Sequence, residues 1–593
     1  MKDRGKAPTI LPPTILLCAS LTMALSPLAG AQGPGAQGPG DRGVDGRAAR
    51  RPEGLLRNES GAFAGYTLYA PFNTTTTFLI DMEGRVVHTW KSTLPPGQSV
   101  YLLENGNLLR AERDPDNMLF HAGGEGGRIR EYTWDGELVW DYSYASERYL
   151  QHHDIEPLPN GNVLLIAWDR KNADEAIDAG RNPDLMTAGE LWSEHVVEVE
   201  PVRPREGNIV WEWYVWDHLI QNHDPTKSNY GDPAAHPELV DINAGGRPRE
   251  LSPQEQQRLR ELGYLAPAPT GVAQGGPPGG GPRRGRGPGG FFGNADWLHI
   301  NSVQYNAKLD QIVLSVHNLH EIWVIDHSTT TPEAEGHDGG ASGKGGDLLY
   351  RWGNPRIYGA GTAEDQQLFS QHDVRWIEEG CPGEGNILVF NNGMGRRDGA
   401  YSSVDEITPP LDDTGSYQKP DGVPFAPLAP TWSFAGSGDS QFFSAFISGA
   451  QRLKNGNTLI CSGAEGRLIE VQPQGTIVWE YVVPAGGEAF GPAGFGGGFP
   501  GFPPGAAGFR VGRGGSDDDR PPGTAAGAGG GERGEEGRAD GGRDERRNRG
   551  RGGPGGMPMM GGVFRATRIA PDYPGLAGRE LKPVVVEDAP EEG

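Results

Sequence analysis

Imidazole changes charge nearest neutral pH, and its nitrogens serve as nucleophile, general acid or metal ligand. Three segments of the chain place histidine just upstream of a polar turn and an apolar run: "QHHDIEPL" from Gln151, "LHINSVQY" from Leu298 and "SQHDVRWI" from Ser370. Set in register on their turns, they give His153, His299 and His372 equivalent positions in three repeats. A lone histidine beside a strand is more often a hydrogen-bonded packing residue than a catalyst, but one slot filled three times points to chemistry. Two kinds are open. Three imidazoles suit zinc or copper, although the chain has no HExxH pair and "HEIWV" at His320 lacks the second histidine. Neutral imidazoles also suit a nucleophile working with a general acid, and clustering keeps rings neutral because like charges oppose simultaneous protonation. The register with "SQHD" turns His153 inward and leaves His152 as its packing neighbour. Asp154 and Asp373 either fix ring tautomers or serve as turn residues.

Such a cluster needs a scaffold that brings distant segments together. A Trp-containing strand recurs six times, in "RVVHTW", "ELVWDY", "NIVWEWY", "LLYRWG", "PTWSF" and "TIVWEY", the first ending at Trp90 and the others lying around Trp140, Trp211, Trp352, Trp432 and Trp479. A polar turn followed by an apolar strand precedes most of them, as in "ENGNLLR", "PNGNVLLIAW", "KLDQIVLSV", "GEGNILVF" and "KNGNTLICSG". Asn-Gly supplies the positive φ of a tight hairpin. Repeated antiparallel sheets with hardly any helical periodicity predict an all-β fold, a six-bladed β-propeller closed by strands from "GYTLYAPFNTTTTFLIDMEG" and "GVFRATRIAPDYPG" at the two ends of the chain. In such a ring the inner positions of different blades converge on the axis. The main helical exception starts at Ser252, where Ser252, Pro253 and Glu255 form a capping box.

Composition sets the outer limits. A formal net charge of -25 argues against a nucleic-acid groove. Lys2, Arg4 and Lys6 ahead of "ILPPTILLCASLTMALSPLAG", with Ala29-Gly30-Ala31 as cleavage site, read as a signal peptide over 1–31. That predicts a periplasmic or secreted protein with no stable membrane insertion after cleavage. Residues 32–60 read as a disordered leader, 61–580 as the propeller, and 581–593 as a tail. Glycine-rich runs near 271–293 and 486–561 read as disordered insertions. Cys381 and Cys461 allow one disulfide or two buried thiols. "HLIQNHDPTKSNYGD" from His218 reads as a channel-lip loop or a plain surface loop.

Taken together, "HHDIEPLPNGN", "DWLHINSVQYN", "LSVHNLHEIWVID", "SQHD" and "VFRATRIAPDYPG" resemble the bacterial arylsulfotransferase family, over about 60–485 and 562–580. The resemblance implies a six-bladed propeller that moves a sulfuryl group from a phenolic sulfate ester to a phenolic acceptor through a sulfohistidine, with no nucleotide, metal or other cofactor. It implies His372 as nucleophile, His299 and His153 as supporting residues, and Asn301 lining the sulfate pocket. The family's arginine on the next strand is replaced by His317, which grips sulfate only when protonated. The first blade is expected directly after the leader, without the family's separate N-terminal domain. The rival expectations are a non-catalytic propeller that binds a ligand or partner at its histidine-lined mouth, and metal-dependent hydrolysis at the same histidines.

Overall fold

The computed structural model describes residues 52–245, 295–484 apart from 413, 420 and 421, and 562–584. Hairpin chemistry acts as expected. Gly106 and Gly161 take φ of 85° and 89°, and the chain turns so that Leu103 N–H donates to Asn107 O and Leu158 N–H to Asn162 O, both at 2.8 Å. The turn asparagine then reaches a glutamate on the third strand of its own sheet: Asn107 to Glu131 (2.7 Å), Asn162 to Glu198 (2.5 Å), Asn386 to Glu406 (2.6 Å) and Asn457 to Glu470 (2.6 Å).

Six antiparallel sheets follow one another. The second blade runs Pro96–Leu102, Leu108–Arg113, Gly127–Tyr132, Leu138–Ser143. The third is Tyr149–Pro157, Val163–Asn172, Glu190–Val202, Glu206–Tyr214. The fourth is Ile300–Asn306, Gln311–Val316, Glu321–Asp326, Tyr350–Trp352. The fifth is His372–Trp376, Ile387–Asn391, Ser403–Ile407, Trp432–Phe434, and the sixth Gly449–Arg452, Thr458–Ser462, Arg467–Val471, Ile477–Val482. The first blade combines the chain ends: Val563–Ile569 is its inner strand, paired with Tyr66–Pro71, and Thr76–Ile80 and Val86–Lys91 complete it. This is the expected six-bladed β-propeller, closed as expected.

The six tryptophans share one role. Each lies on the fourth strand of its blade, and its indole N–H donates to the connection between the third and fourth strands of the next blade or, for Trp140, to the first residue of that fourth strand. The acceptors of Trp90, Trp140, Trp211, Trp352, Trp432 and Trp479 are Thr133 O, Glu206 O, Thr329 Oγ1, Pro427 O, Pro473 O and Met82 O, at 2.6 to 3.2 Å.

One expectation is corrected here. Gly54–Asn58, at the end of the supposed disordered leader, is a fifth strand on the outer edge of the sixth blade, antiparallel to Ile477–Val482. Its backbone groups find partners on the open edge of that blade, which outweighs its polar composition. Cys381 and Cys461 are free buried thiols. Among the described residues no helix is long and apolar enough to cross a membrane. The signal peptide, the helix from Ser252 and both glycine-rich insertions lie outside the described residues.

Candidate functional site

Hydrogen bonds between neighbouring inner strands set the register around the axis. Val303 N–H donates to Asp154 Oδ2 (3.3 Å), Val374 N–H to Ser302 Oγ (2.9 Å) and Ala450 N–H to Asp373 Oδ2 (2.9 Å). Asp154, Ser302 and Asp373 therefore hold one position, and the residue before it is His153, Asn301 or His372. The equivalence of His299 with His153 and His372 is thus corrected. His299 stands two residues earlier, in the slot of Ser370, and the two share a left-handed backbone with φ of 54° and 58°. The fourth blade turns through residues 306–310 without an Asn-Gly pair, so its turn gives no fixed point for alignment.

The rings nevertheless meet. Centroids of His153 and His299 are 4.5 Å apart, those of His299 and His317 5.1 Å, and those of His317 and His372 5.2 Å. This arc spans the third to fifth blades, and each ring is at most 4% exposed. A short hydrogen bond to Nδ1 orients every ring. His299 Nδ1 pairs with Asp296 Oδ2 at 2.5 Å, His317 Nδ1 with Asn318 Oδ1 at 2.8 Å, and His372 Nδ1 with Asn392 Oδ1 at 2.8 Å.

The tautomer of His372 follows from its neighbour. Asn392 donates its amide to Ser444 O (2.8 Å) and Ile447 O (2.9 Å), which turns its Oδ1 toward the imidazole. His372 Nδ1 must then carry the proton and Nε2 the lone pair, which accepts the Ile447 N–H at 3.2 Å. Burial, and secondarily the charge of His299, push the His372 pKa down to about 3, so the ring is neutral at neutral pH. Ile447 itself sits at φ 51°, a strained conformation for a β-branched residue and of the kind that collects at functional sites.

His152 is more than the packing neighbour expected of it. It stacks on Trp168 with centroids 4.1 Å apart. Its Nε2 meets Glu194 Oε2 at 2.7 Å and its Nδ1 meets His153 Nδ1 at 2.8 Å. Burial and the charge of Asp296 hold the Glu194 carboxyl well above the usual carboxylate range. Burial and His299 hold His153 well below the usual imidazole range. Glu194, His152 and His153 form a buried hydrogen-bonded chain that ends in the arc.

Asp154 and Asp373 do not orient the rings. Both grip Arg565 of the closing strand, at 2.8 Å each, and Asp154 also takes the Tyr101 hydroxyl at 3.1 Å and Asp373 the Arg375 guanidinium at 2.8 Å. Asn301 is fully buried with its amide on Gln371 O at 2.9 Å, so this donor braces the fifth blade. His317 is held well below its ordinary pKa by burial and then by His299 and His372, which leaves it neutral at neutral pH. Glycine is required at Gly124, whose φ is 91° and whose added Cβ would fall 1.9 Å from the His153 ring. Sequence reasoning missed Glu194, Asp296, Asn392, Arg565 and Gly124. Only Asp296, three residues before His299, lies close enough in the chain to have been a signal.

A family model described as Arylsulfotransferase (ASST) matches residues 65–408, a span that contains all four histidines of the arc. No curated protein matches the chain. Among solved structures, a protein of unknown function from Bacteroides caccae is similar at 10% identity, with 70% of this chain and 93% of that one covered and a TM-score of 0.33. A streptogramin B lyase is similar at 10% identity, covering 72% and 85%, with a TM-score of 0.30. A protein from Desulfotomaculum acetoxidans is similar at 7% identity, covering 70% and 95%, with a TM-score of 0.32.

Proposed function

Since the chain belongs to the arylsulfotransferase family, we propose that it moves a sulfuryl group from a phenolic sulfate ester to a phenolic acceptor through a sulfohistidine at His372. One observation carries this reading: Asn392 fixes the proton of His372 on Nδ1, so the neutral ring at the end of a buried imidazole arc keeps its lone pair on Nε2.

In the first half-reaction the His372 Nε2 lone pair attacks sulfur and the bond between sulfur and the ester oxygen breaks, its electrons passing to the phenolate. The Ile447 N–H leaves Nε2 and turns to a sulfuryl oxygen, where a backbone donor stabilises charge as it develops. His153 gives the phenolate its Nε2 proton. His152 Nδ1–H then passes to His153 Nδ1, and the Glu194 proton passes to His152 Nε2, leaving the carboxylate ionised. The raised Glu194 pKa supports this role, because the chain starts with its proton in place. In the second half-reaction the acceptor phenol gives its proton to His153 Nε2 while His153 Nδ1–H passes back to His152 Nδ1 and His152 Nε2–H to Glu194; the phenol oxygen attacks sulfur, and the electrons of the N–S bond return to His372. The charged N-terminal segment ahead of the apolar run supports export, which puts the reaction in the periplasm or outside the cell.

The test is incubation with 4-nitrophenyl sulfate and phenol, with and without a chelator, and intact-mass analysis of the protein after donor alone. The expected result is transfer that survives chelation, a sulfuryl adduct on His372, and loss of both in His372→Ala. Folded protein that gives neither adduct nor transfer overturns the reading in favour of a ligand-binding propeller. Turnover lost on chelation overturns it in favour of metal-dependent hydrolysis.

A further inference from the structure

Away from the axis, three metal-type ligands converge between the third and fourth blades. His218 follows the outer strand of the third blade, and His337 and Asp347 belong to the long connection between Glu321–Asp326 and Tyr350–Trp352 of the fourth. Their ligand atoms all lie within 4.8 Å of one another. His218 Nδ1 is 2.9 Å from Asp347 Oδ1, and His337 Nδ1 is 2.7 Å from the same oxygen.

The buried ring is held by the backbone on its far side. His218 is fully buried, and its Nε2 lies 2.9 Å from Ala334 O, a carbonyl that only accepts. Nε2 therefore carries the proton. The other ring nitrogen, Nδ1, is thereby turned toward the Asp347 carboxylate and His337. A ring N–H held by a backbone carbonyl is also the usual device for orienting a metal-bound imidazole.

We propose that His218 Nδ1, His337 Nδ1 and the Asp347 carboxylate bind one zinc-class divalent ion. Two imidazoles and a carboxylate suit a borderline cation. The His337 side chain is 60% exposed, which opens the remaining coordination position to water. The ion fastens the 327–349 connection to the third blade, alongside the Trp213 indole N–H bonded to Gly346 O at 2.7 Å. The sequence reading placed His218 in a channel-lip or surface loop and assigned no metal to the chain.

The experiment uses the full chain, stripped with chelator, dialysed, and titrated with zinc chloride by calorimetry, with thermal unfolding followed in parallel. One equivalent is expected to bind and to raise Tm. His337→Ala, an exposed change, is expected to weaken binding by at least about tenfold and to abolish the Tm rise while leaving sulfuryl transfer intact. Asp347→Asn is expected to weaken binding as well. The proposal is overturned if the chain binds no zinc. It is also overturned if binding is unchanged in both variants, or is lost in His372→Ala but kept in His337→Ala, which would put the metal at the axis. None of the outcomes that overturn the proposal involves sulfuryl transfer.

Discussion

An arginine at position 317 would be charged at every working pH, and the histidine there is not. Burial first, and then His299 and His372, depress its pKa below the usual imidazole value, so its protonated fraction is small at pH 7 and grows as pH falls. If His317 is to hold a sulfate oxygen by charge, donor affinity must weaken as pH rises through that depressed pKa. His372 imposes no opposing limit, since it stays neutral down to about 3. His317→Arg is therefore expected to lower KM for 4-nitrophenyl sulfate near neutral pH and to flatten its pH dependence. A charge-assisted hydrogen bond of about 1.5–3 kcal/mol sets the change at roughly ten- to a hundredfold. Steady-state KM between about pH 5 and 8 checks this; an unchanged pH profile in the variant would count against a sulfate-binding role for His317. The histidines were legible because residue type states the chemistry. Glu194 and Asn392 were not, because they are ordinary polar residues, one on another strand and one just past a strand end, whose meaning comes only from the ring they face, His152 in one case and His372 in the other.

Blades are joined by their outer tryptophans as well as by apolar packing. Trp479 deserves the closest test, since it links the sixth blade to the first, where the ring closes. Its N–H meets Met82 O at 2.9 Å and its ring lies 4.6 Å from the Arg568 guanidinium. Trp479→Phe keeps most of the buried aromatic surface and removes the donor, leaving a carbonyl without it, so a loss of about 1 kcal/mol follows. In a chain of this size that lowers Tm by about 2 °C. Trp432→Phe, at a partly exposed site, is expected to cost less, and calorimetry showing the reverse order would contradict this account of the junction. These elements were readable because both the residue and its spacing repeat. Gly54–Asn58 was not, since its pairing partner lies at the opposite end of the folded chain and its own side chains are mostly exposed.

Closure couples the fold to the site. Val563–Ile569 completes the first blade, and from it Arg565 reaches across to Asp154 and Asp373, the residues that follow His153 and His372. Without that strand two buried carboxylates lose a shared counter-charge, an expense of about 3–5 kcal/mol when one partner of such a pair is removed, and Tyr66–Pro71 becomes an open edge. By contrast, the four strands named for each blade all lie outside residues 487–559. The strands that segment connects, Ile477–Val482 and Val563–Ile569, are the outer strand of one blade and the inner strand of the next. Three strand spacings separate such positions within a sheet, about 14 Å, and a linker of about twelve residues reaches well beyond that. Replacing 487–559 by a Gly/Ser linker of this length is expected to leave Tm and the His372 adduct unchanged. Ending the chain at residue 561 is expected to abolish both the cooperative transition and the adduct. A truncated chain that still forms the adduct would show that Arg565 is dispensable to the arc, and a linker variant that fails to fold would show that the glycine-rich segment contributes to the propeller itself.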